Sequence, residues 1–283
     1  MTTAGEGLEA VPVDREDIEI DALLEAVYRY YGFDFRQYAR PSLRRRLWRR
    51  ADLEGATTVS GLQERLLHDR ACMERLLLDL SINVTAMFRD PTFYASFRKT
   101  VIPLLRTYPF IRIWSAGCST GEETHSLAIV LAEEGLLDRT RIYATDINES
   151  VLVRAKEGVF PLEHMRTYTE NYLASGGTRA FSEYYTAGYQ GARFDRSLMD
   201  GVVFSRHNLA SDQSFNEFHA IICRNVMIYF DSALQDRVHD LFYDSLVRFG
   251  VLCLGQKESI TFTSHADDYK ILDPADRIFR KVR

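Results

Sequence analysis

The first part of the chain spaces its apolar residues as amphipathic helices do. Between residues 17 and 80 they recur every three or four positions, as in Leu23, Leu24 and Val27. Two short glycine-containing breaks separate the predicted helices. We predict a flexible tail over residues 1–15 and an all-helical domain over residues 16–80.

After residue 80 the pattern changes to alternating strands and helices. Strands are predicted at residues 111–116, 141–145, 202–206, 219–223 and 249–254, helices at 93–106, 122–134, 149–156 and 232–247, and a closing hairpin at 269–272 and 278–282. Such alternation is typical of a mostly parallel sheet with helices on both faces. We predict one α/β domain over residues 81–283. Residues 158–201, rich in Tyr, Phe and Gly, fit the rhythm poorly and are predicted to be an inserted subdomain.

Composition narrows the class of protein. Hydrophobic residues make up 46% of the chain and charged residues 27%, typical of a globular protein in water. No apolar run reaches the roughly 18 residues of a membrane span, and the acidic N-terminus resembles no secretory signal. The four cysteines are scattered without a CxxC pair, which predicts neither a metal site nor disulfides. We expect a cytoplasmic monomer without membrane insertion.

The sequence IRIWSAGCSTGEETHS, residues 111–126, indicates a ligand site. A strand ends, Gly117 and Gly121 flank a tight turn, and a helix begins near Glu122. Glycines allow a ligand to approach the backbone closely, and a helix start offers free N–H donors. The next predicted strand ends at Asp146, where doubly wound folds hydrogen-bond a ribose hydroxyl. The spacing therefore predicts a bound nucleoside cofactor.

Two other enzyme classes compete for this segment. A nicotinamide cofactor prefers GxGxxG, but Glu122 stands at the third glycine and would repel a pyrophosphate. The same carboxylate suits the ammonium group of S-adenosylmethionine (SAM). A hydrolase is the second alternative, because Gly117–Gly121 matches GxSxG and Asp146 and His207 follow Ser119 in the right order. Such a serine normally lies several strands into the sheet, which disfavours this alternative.

Three further segments place polar side chains beside the predicted sheet. They are NVTAMFRD (83–90), FSRHNL (204–209) and ICRNVMIYF (222–230). Together with STGEE they resemble the CheR family, the chemotaxis receptor glutamate methyltransferases, over residues 31–282. The resemblance implies a Rossmann-like SAM methyltransferase domain, an N-terminal helical domain and a small inserted β-subdomain. It also implies protein-glutamate O-methylation on the cytoplasmic domain of a methyl-accepting chemoreceptor or similar signalling protein, with S-adenosylhomocysteine as product.

The resemblance also implies the residues of the site. The cofactor contacts would be Asn83, Thr85, Arg89, Glu122, Asp146, Asn208, Leu209, Arg224 and Asn225. Glu122 would meet the methionine part, Asp146 the ribose, and Asn208 with Leu209 the adenine. Arg224, Asn225 and Tyr229 would lie near the transferred methyl, and Arg89 and Tyr229 would orient the substrate carboxylate. Departures from the family pattern at Met87, 124–125 and 255–258 leave the signalling pathway open.

An arginine-rich segment predicts a docking surface. The net charge is −5, yet residues 34–50 hold seven arginines against one aspartate. A helix that begins near Ser42 turns by about 100° per residue, which places Leu43 and Leu47 on one face and a polar stripe on another. That stripe would consist of Arg45, Arg46, Arg49 and Arg50. In the resembled family this helix faces the receptor's glutamate-bearing methylation helix. Nucleic acid is disfavoured, because few aromatics accompany the arginines and the chain is acidic overall.

The expected reaction is direct methyl transfer to a carboxylate that is already ionised at neutral pH, with a reference pKa of about 4.3. No base is then required, and we interpret His125 and His207 as structural. Two alternatives remain open at this point. One is a SAM methyltransferase for a small molecule or RNA, and the other is a SAM-binding module without catalysis.

Overall fold

The computed structural model describes residues 14–80, 85–261 and 263–283. The chain divides into two compact units. One comprises residues up to Arg36 together with Arg40–Leu80, and the other comprises Gln37–Ala39 and the chain from Ser81 onward. The tail predicted at 1–15 lies outside the described residues, apart from its last two positions.

The first unit consists of four helices in its described part, as the apolar spacing predicts. They are α1 (Arg15–Tyr31), α2 (Arg40–Glu54), α3 (Val59–His68) and α4 (Arg70–Leu80). Asp14 caps the start of α1 by accepting from the Glu16 N–H, and Gly32 ends that helix in the left-handed conformation at φ 77°. The apolar positions form the core, with Leu23, Leu47 and Leu66 fully buried. The N-terminal all-helical domain is confirmed.

The second unit is built on strands and helices in alternation. The strands are β1 (Ile111–Ala116), β2 (Thr140–Asp146), β3 (Val159–Phe160), β4 (Tyr185–Gly188), β5 (Gly191–Phe194), β6 (Val202–Arg206), β7 (Phe218–Cys223), β8 (Leu246–Leu254), β9 (Tyr269–Asp273) and β10 (Ile278–Lys281). The helices are α5 (Pro91–Ser96), continued by a π-turn (Phe97–Val101) into α6 (Ile102–Leu105), then α7 (Glu122–Glu133), α8 (Glu149–Glu157), α9 (Met165–Ala174) and α10 (Ser232–Ser245).

The main sheet has seven strands in the order β6-β2-β1-β7-β8-β10-β9. Its first five strands are parallel, and β10 and β9 add an antiparallel hairpin at one edge. All six residues of β7 are buried, which is typical of a parallel strand covered on both faces. In β1, Ile113 packs into the core on one face and Trp114 into the core on the other. The predicted Rossmann-like, mostly parallel sheet is confirmed.

The segment predicted as an insertion folds into a small antiparallel sheet, β3-β5-β4, with α9 beside it. Glu133, at the end of α7, connects this small sheet and α9 to the rest of the α/β unit. Its carboxylate accepts hydrogen bonds from the hydroxyls of Tyr172 and Tyr184 and pairs with Arg98. The inserted β-subdomain is therefore confirmed.

The predicted arginine stripe on α2 is wrong for two of its four members. Arg46 and Arg50 are only 6% and 8% exposed. Arg46 donates to the carbonyl oxygen of Leu80 at 2.5 Å, and Arg50 pairs with Asp79 and Glu54. Positions 46 and 50 lie next to the apolar face of the helix, where Leu80 and Asp79 of α4 bind their guanidinium groups. Arg45 and Arg49 are exposed as predicted.

The ion pairs of Arg50 generate a stability prediction. Arg50→Met keeps most of the apolar stem but leaves Asp79, whose side chain is 13% exposed, without this partner. Breaking a buried pair leaves an uncompensated charge, so the free energy of unfolding should fall by about 3 kcal/mol. Urea denaturation followed by circular dichroism measures this change. Arg45→Met, an exposed position, is the matched control, and equal midpoints for the two variants would contradict the structural role of Arg50.

Candidate active site

The residues predicted to form the site lie along the side of the main sheet where the parallel strands have their carboxyl ends. Asp146 is the last residue of β2, and the residues that follow β1, β6 and β7 include Glu122, Asn208 and Arg224, respectively. These four parallel strands are adjacent in the order β6-β2-β1-β7. Parallel strands end at a common edge, and doubly wound sheets bind ligands in the crevice there. The topology therefore brings together residues that are up to about 100 positions apart in sequence.

The turn after β1 needs both of its glycines. Gly117 and Gly121 have φ angles of 76° and 96°, the left-handed region. A Cβ atom on Gly117 would lie 2.5 Å from Cγ2 of Val226, and one on Gly121 would lie 2.8 Å from Cβ of Ala155. Ser119 between them adopts φ 50°. The turn is thus fixed by close packing on both sides.

Asp146 fastens this turn to the end of β2. One carboxylate oxygen accepts the N–H of Ser119 and the other that of Asn148, both at 3.0 Å. Asp146 is 8% exposed, and burial raises the pKa of its carboxyl group. A carboxylate has about four acceptor positions, so Asp146 can accept from a ligand hydroxyl besides these amides.

Glu122 lies at the first turn of α7. Its carboxylate accepts the hydroxyl of Thr120 at 2.6 Å, and the hydroxyl of Tyr168 lies 3.5 Å from the other oxygen. Glu122 is 7% exposed, and burial raises the pKa of its carboxyl group. Tyr168 comes from the inserted subdomain, and no sequence pattern had marked it as part of the site. The arrangement suits a cationic ligand group.

Asn208, after β6, carries an unused donor. Its Oδ1 accepts the N–H of Ala210 at 3.0 Å, while its buried Nδ2 has no partner among the described residues. Leu209 beside it is 8% exposed and supplies apolar surface. A buried amide without a partner is costly unless a ligand accepts from it. These two residues therefore fit a purine base, as Asp146 fits a ribose and Glu122 an ammonium group.

The structure gives Arg224 a different role from the predicted cofactor contact. Its side chain is 2% exposed, and its guanidinium pairs with Asp90 at 2.7 Å and Glu123 at 3.4 Å. It also donates to the carbonyl oxygen of Arg89 and lies 4.1 Å from the ring centre of Phe93. Two of its three guanidinium nitrogens bind these partners, so Arg224 braces the segment 89–90, while its buried Nε has no hydrogen-bond partner among the described residues.

The braced segment is conformationally strained. Phe88 and Asp90, on either side of Arg89, have φ angles of 52° and 55°. Non-glycine residues in this region cost of the order of 1 kcal/mol each and persist only when the surroundings hold them. Ser126 accepts the N–H of Phe88 at 2.9 Å, and Arg224 holds Asp90. This places the half-buried Arg89 on a fixed backbone beside the site.

The remaining predicted residues are distributed as follows. Thr85 is half-buried, and Asn83 lies outside the described residues. Asn225 and Tyr229 are half-buried in the turn after β7, and Asn225 adopts φ 61°. The carbonyl oxygen of Tyr229 accepts the N–H of Ala39 at 2.8 Å, so the segment Gln37–Ala39 supports this turn.

The hydrolase alternative is wrong. The carboxylate of Asp146 binds the backbone N–H groups of Ser119 and Asn148 rather than His207, and Nε2 of His207 lies 3.2 Å from the carbonyl oxygen of Gln213. The other ring nitrogen of His207 is buried without a partner in the described part of the chain. Asp146 therefore does not orient His207, and the relay that activates a serine is missing.

Among residues 14–80, 85–261 and 263–283, no helix combines the length and hydropathy of a membrane span. No group of three or more His, Cys, Asp or Glu side chains there could hold a metal ion.

Comparison with known proteins gives consistent matches. The model of the CheR methyltransferase SAM-binding domain matches residues 83–275, and that of the CheR all-alpha domain matches 18–81. Cher3 of Pseudomonas putida is 51% identical, covering 94% of this chain and 97% of the relative. Chemotaxis protein methyltransferase 2 of Pseudomonas aeruginosa is 34% identical, covering 89% of each chain. Chemotaxis protein methyltransferase of Listeria innocua is 30% identical, covering 92% of this chain and 94% of the relative.

The position of Asp146 generates a binding prediction. Asp146→Ala removes an acceptor for ribose hydroxyls and releases the turn at Ser119, so SAM binding should weaken by about 1–3 kcal/mol. Isothermal titration calorimetry measures the affinity. Asp138→Ala, which removes an exposed carboxylate two residues before β2, should bind SAM as the unaltered chain does. Equal affinities for the two variants would reject the assignment of Asp146.

Proposed function

The chain belongs to the CheR methyltransferase family and uses SAM, and we propose that it methylates glutamate side chains on the cytoplasmic domain of a chemoreceptor or similar signalling protein. The product would be a glutamate methyl ester. The observation that carries this substrate is the set of relatives named chemotaxis protein methyltransferase, which align over about nine tenths of the chain. Because chemoreceptors present their methylation sites inside the cell, we propose that the chain acts in the cytoplasm.

The site residues can each be given a task in this reaction. When bound, SAM supplies an activated methyl group on its sulfonium. Asp146, Asn208 and Glu122 would hold the ribose, base and amino-acid parts, on the donors and acceptors described above. Arg89 and Tyr229 would orient the incoming carboxylate, with the backbone of Arg89 fixed by Arg224. Exclusion of water from the crevice would strengthen these polar contacts.

No proton has to be removed from the proposed nucleophile, because a glutamate is ionised well below neutral pH. The two histidines of the sheet domain nearest the site are poor bases at neutral pH. Burial lowers the pKa of His125 to about 4, and burial also lowers the pKa of His207. His125 is therefore neutral above pH 6.5, and burial likewise disfavours the charged form of His207.

A nucleophile that needs no deprotonation predicts a flat pH profile. Single-turnover methyl transfer should vary by less than about threefold between pH 6.5 and 8.5, because the substrate carboxylate is already ionised and burial disfavours the charged forms of His125 and His207. Rapid-quench measurements with saturating SAM test this. His207→Gln should cost much less than Tyr229→Phe, which should slow transfer more than it weakens SAM binding. A rising limb that disappears in the His207 variant would instead indicate a hydroxyl or amine substrate.

The exposed arginines of α2 support the proposal of a protein substrate. Arg45, Arg49 and Leu53 follow one another at four-residue spacing, so they share one face of the helix. Neither arginine makes an ion pair within the described part of the chain, and Leu53 is 63% exposed. A face with two free cations and an apolar residue suits an amphipathic helix that presents glutamates.

This surface generates a docking prediction. The double variant Arg45→Glu and Arg49→Glu should lower turnover on a receptor fragment at least about tenfold at low salt, while SAM affinity stays unchanged. Salt should reproduce the defect in the unaltered chain, because exposed charges are screened within about 8 Å at physiological ionic strength. Arg70→Glu, which reverses an 84% exposed charge on α4, is the control. Full turnover of the double variant at low salt would reject docking on this face.

The chemical identity of the product separates the proposal from its main alternative, methylation of RNA or a small molecule. The chain is incubated with methyl-labelled SAM and chemoreceptor cytoplasmic fragments, and the labelled protein is then treated with mild base. A glutamate methyl ester releases volatile methanol, whereas an N-methyl product retains its label. Label that is transferred but stable to base would overturn the carboxylate assignment, and a scaffold without catalysis would transfer none.

A further inference from the structure

Glu258 lies buried in the loop after β8, and its carboxylate holds four backbone N–H groups. One oxygen accepts from Val226 at 2.9 Å and from Met227 at 2.8 Å. The other accepts from Asn225 at 3.0 Å and from Gly255 at 2.6 Å. Glu258 is only 5% exposed. One carboxylate thus ties together two loops at the carboxyl edge of the sheet.

Three of these donors are consecutive residues of the turn that carries the predicted catalytic tyrosine. Consecutive N–H groups that converge in this way form a concave site for a negative charge. Asn225 adopts φ 61°, a conformation that a non-glycine residue keeps only when its surroundings hold it. The carboxylate of Glu258 supplies that support through all three amides.

The same turn is closely packed against two glycines. A Cβ atom on Gly255 would lie 2.7 Å from a carboxylate oxygen of Glu258 and 2.8 Å from the backbone nitrogen of Asn225. Val226 fills the space where Gly117 lacks a side chain. A change in the position of Glu258 would therefore be passed directly to residues 225–229.

We propose that Glu258 is a positioning residue, which sets the turn 225–229 and thereby places Asn225 and Tyr229 for methyl transfer. The inference rests on the proposed function, in which Tyr229 orients the substrate carboxylate. It explains the glutamate in the segment GQKE, residues 255–258, whose side chain lies against the turn rather than in the crevice. Burial raises the pKa of this carboxyl group, while its backbone N–H donors favour the ionised form.

Glu258→Gln tests this role with little change in shape. The amide nitrogen would face backbone N–H donors, so one pair of hydrogen bonds would be replaced by donor–donor repulsion. A displacement of reacting groups by about 1 Å can cost about 100-fold in rate, so kcat on a receptor fragment should fall at least about tenfold. SAM affinity should stay within about threefold, because Asp146, Asn208 and Glu122, which are proposed to hold the ribose, base and amino-acid parts of SAM, lie on other loops.

Asp273→Asn is the matched control. Asp273 also accepts two backbone N–H groups, those of Ala275 and Asp276, but in the turn between β9 and β10. The Asp273→Asn variant should have a kcat within about threefold of that of the unaltered chain. A Glu258→Gln kcat within that range would overturn the inference. So would an equal loss of SAM affinity and kcat, since that outcome describes a general structural defect.

Hydrogen–deuterium exchange provides a readout that does not depend on the substrate. Amides 225–227 should exchange faster in Glu258→Gln and at the original rate in Asp273→Asn, and unchanged exchange in both would overturn the inference.

If the unaltered chain methylates no receptor fragment, the proposed function fails while the exchange result still decides the role of Glu258. If Glu258→Gln does not fold, Gly255→Ala replaces it, because its Cβ displaces the same carboxylate; faster exchange at 225–227 would support the inference and unchanged exchange would overturn it.

Discussion

A buried arginine at the end of the central parallel strand β7 organises the candidate site. A lone guanidinium in the interior would be strongly destabilising, and Arg224 is tolerated because Asp90, Glu123 and the ring of Phe93 surround it. The pairing connects the loop before α5, the first turn of α7 and the end of β7. The strained backbone on either side of Arg89 depends on this connection, since Arg224 binds both the carbonyl of Arg89 and the carboxylate of Asp90.

Rigid loops suit the chemistry that we propose. A glutamate substrate arrives ionised, so the rate depends on orientation rather than on proton removal. Two contacts fix the turn after β7. Gly117 allows Val226 to approach closely, and the buried carboxylate of Glu258 accepts backbone N–H groups of the turn. The histidines of this region pack against aromatic rings, as His125 does with Phe160, which agrees with a structural role.

The sequence predicts most of the fold because buried parallel strands are short apolar runs, and because polar residues at their carboxyl ends meet at one edge. Asp146 and Glu122 lie where this reasoning places them. It fails where a side chain is satisfied by a residue far away in the chain. The sequence around Arg50 does not indicate its pairing with Asp79 on α4, so the helical pattern alone predicts an exposed charge there. The contact of Tyr168 with Glu122 has no short-range pattern either. The segment 255–258 stands out only as a departure from the family pattern, which does not indicate that Glu258 binds a turn about 30 residues earlier in the chain.

The most direct measurement is a crystal structure of the chain with S-adenosylhomocysteine bound. We expect Asp146 to accept hydrogen bonds from the ribose hydroxyls and the amide of Asn208 to contact the adenine. We also expect Arg224 to remain paired with Asp90 and Glu123 rather than to turn toward the ligand. A nucleoside bound away from the ends of β1 and β2, or an Arg224 that leaves its carboxylates to contact the ligand, would contradict this expectation.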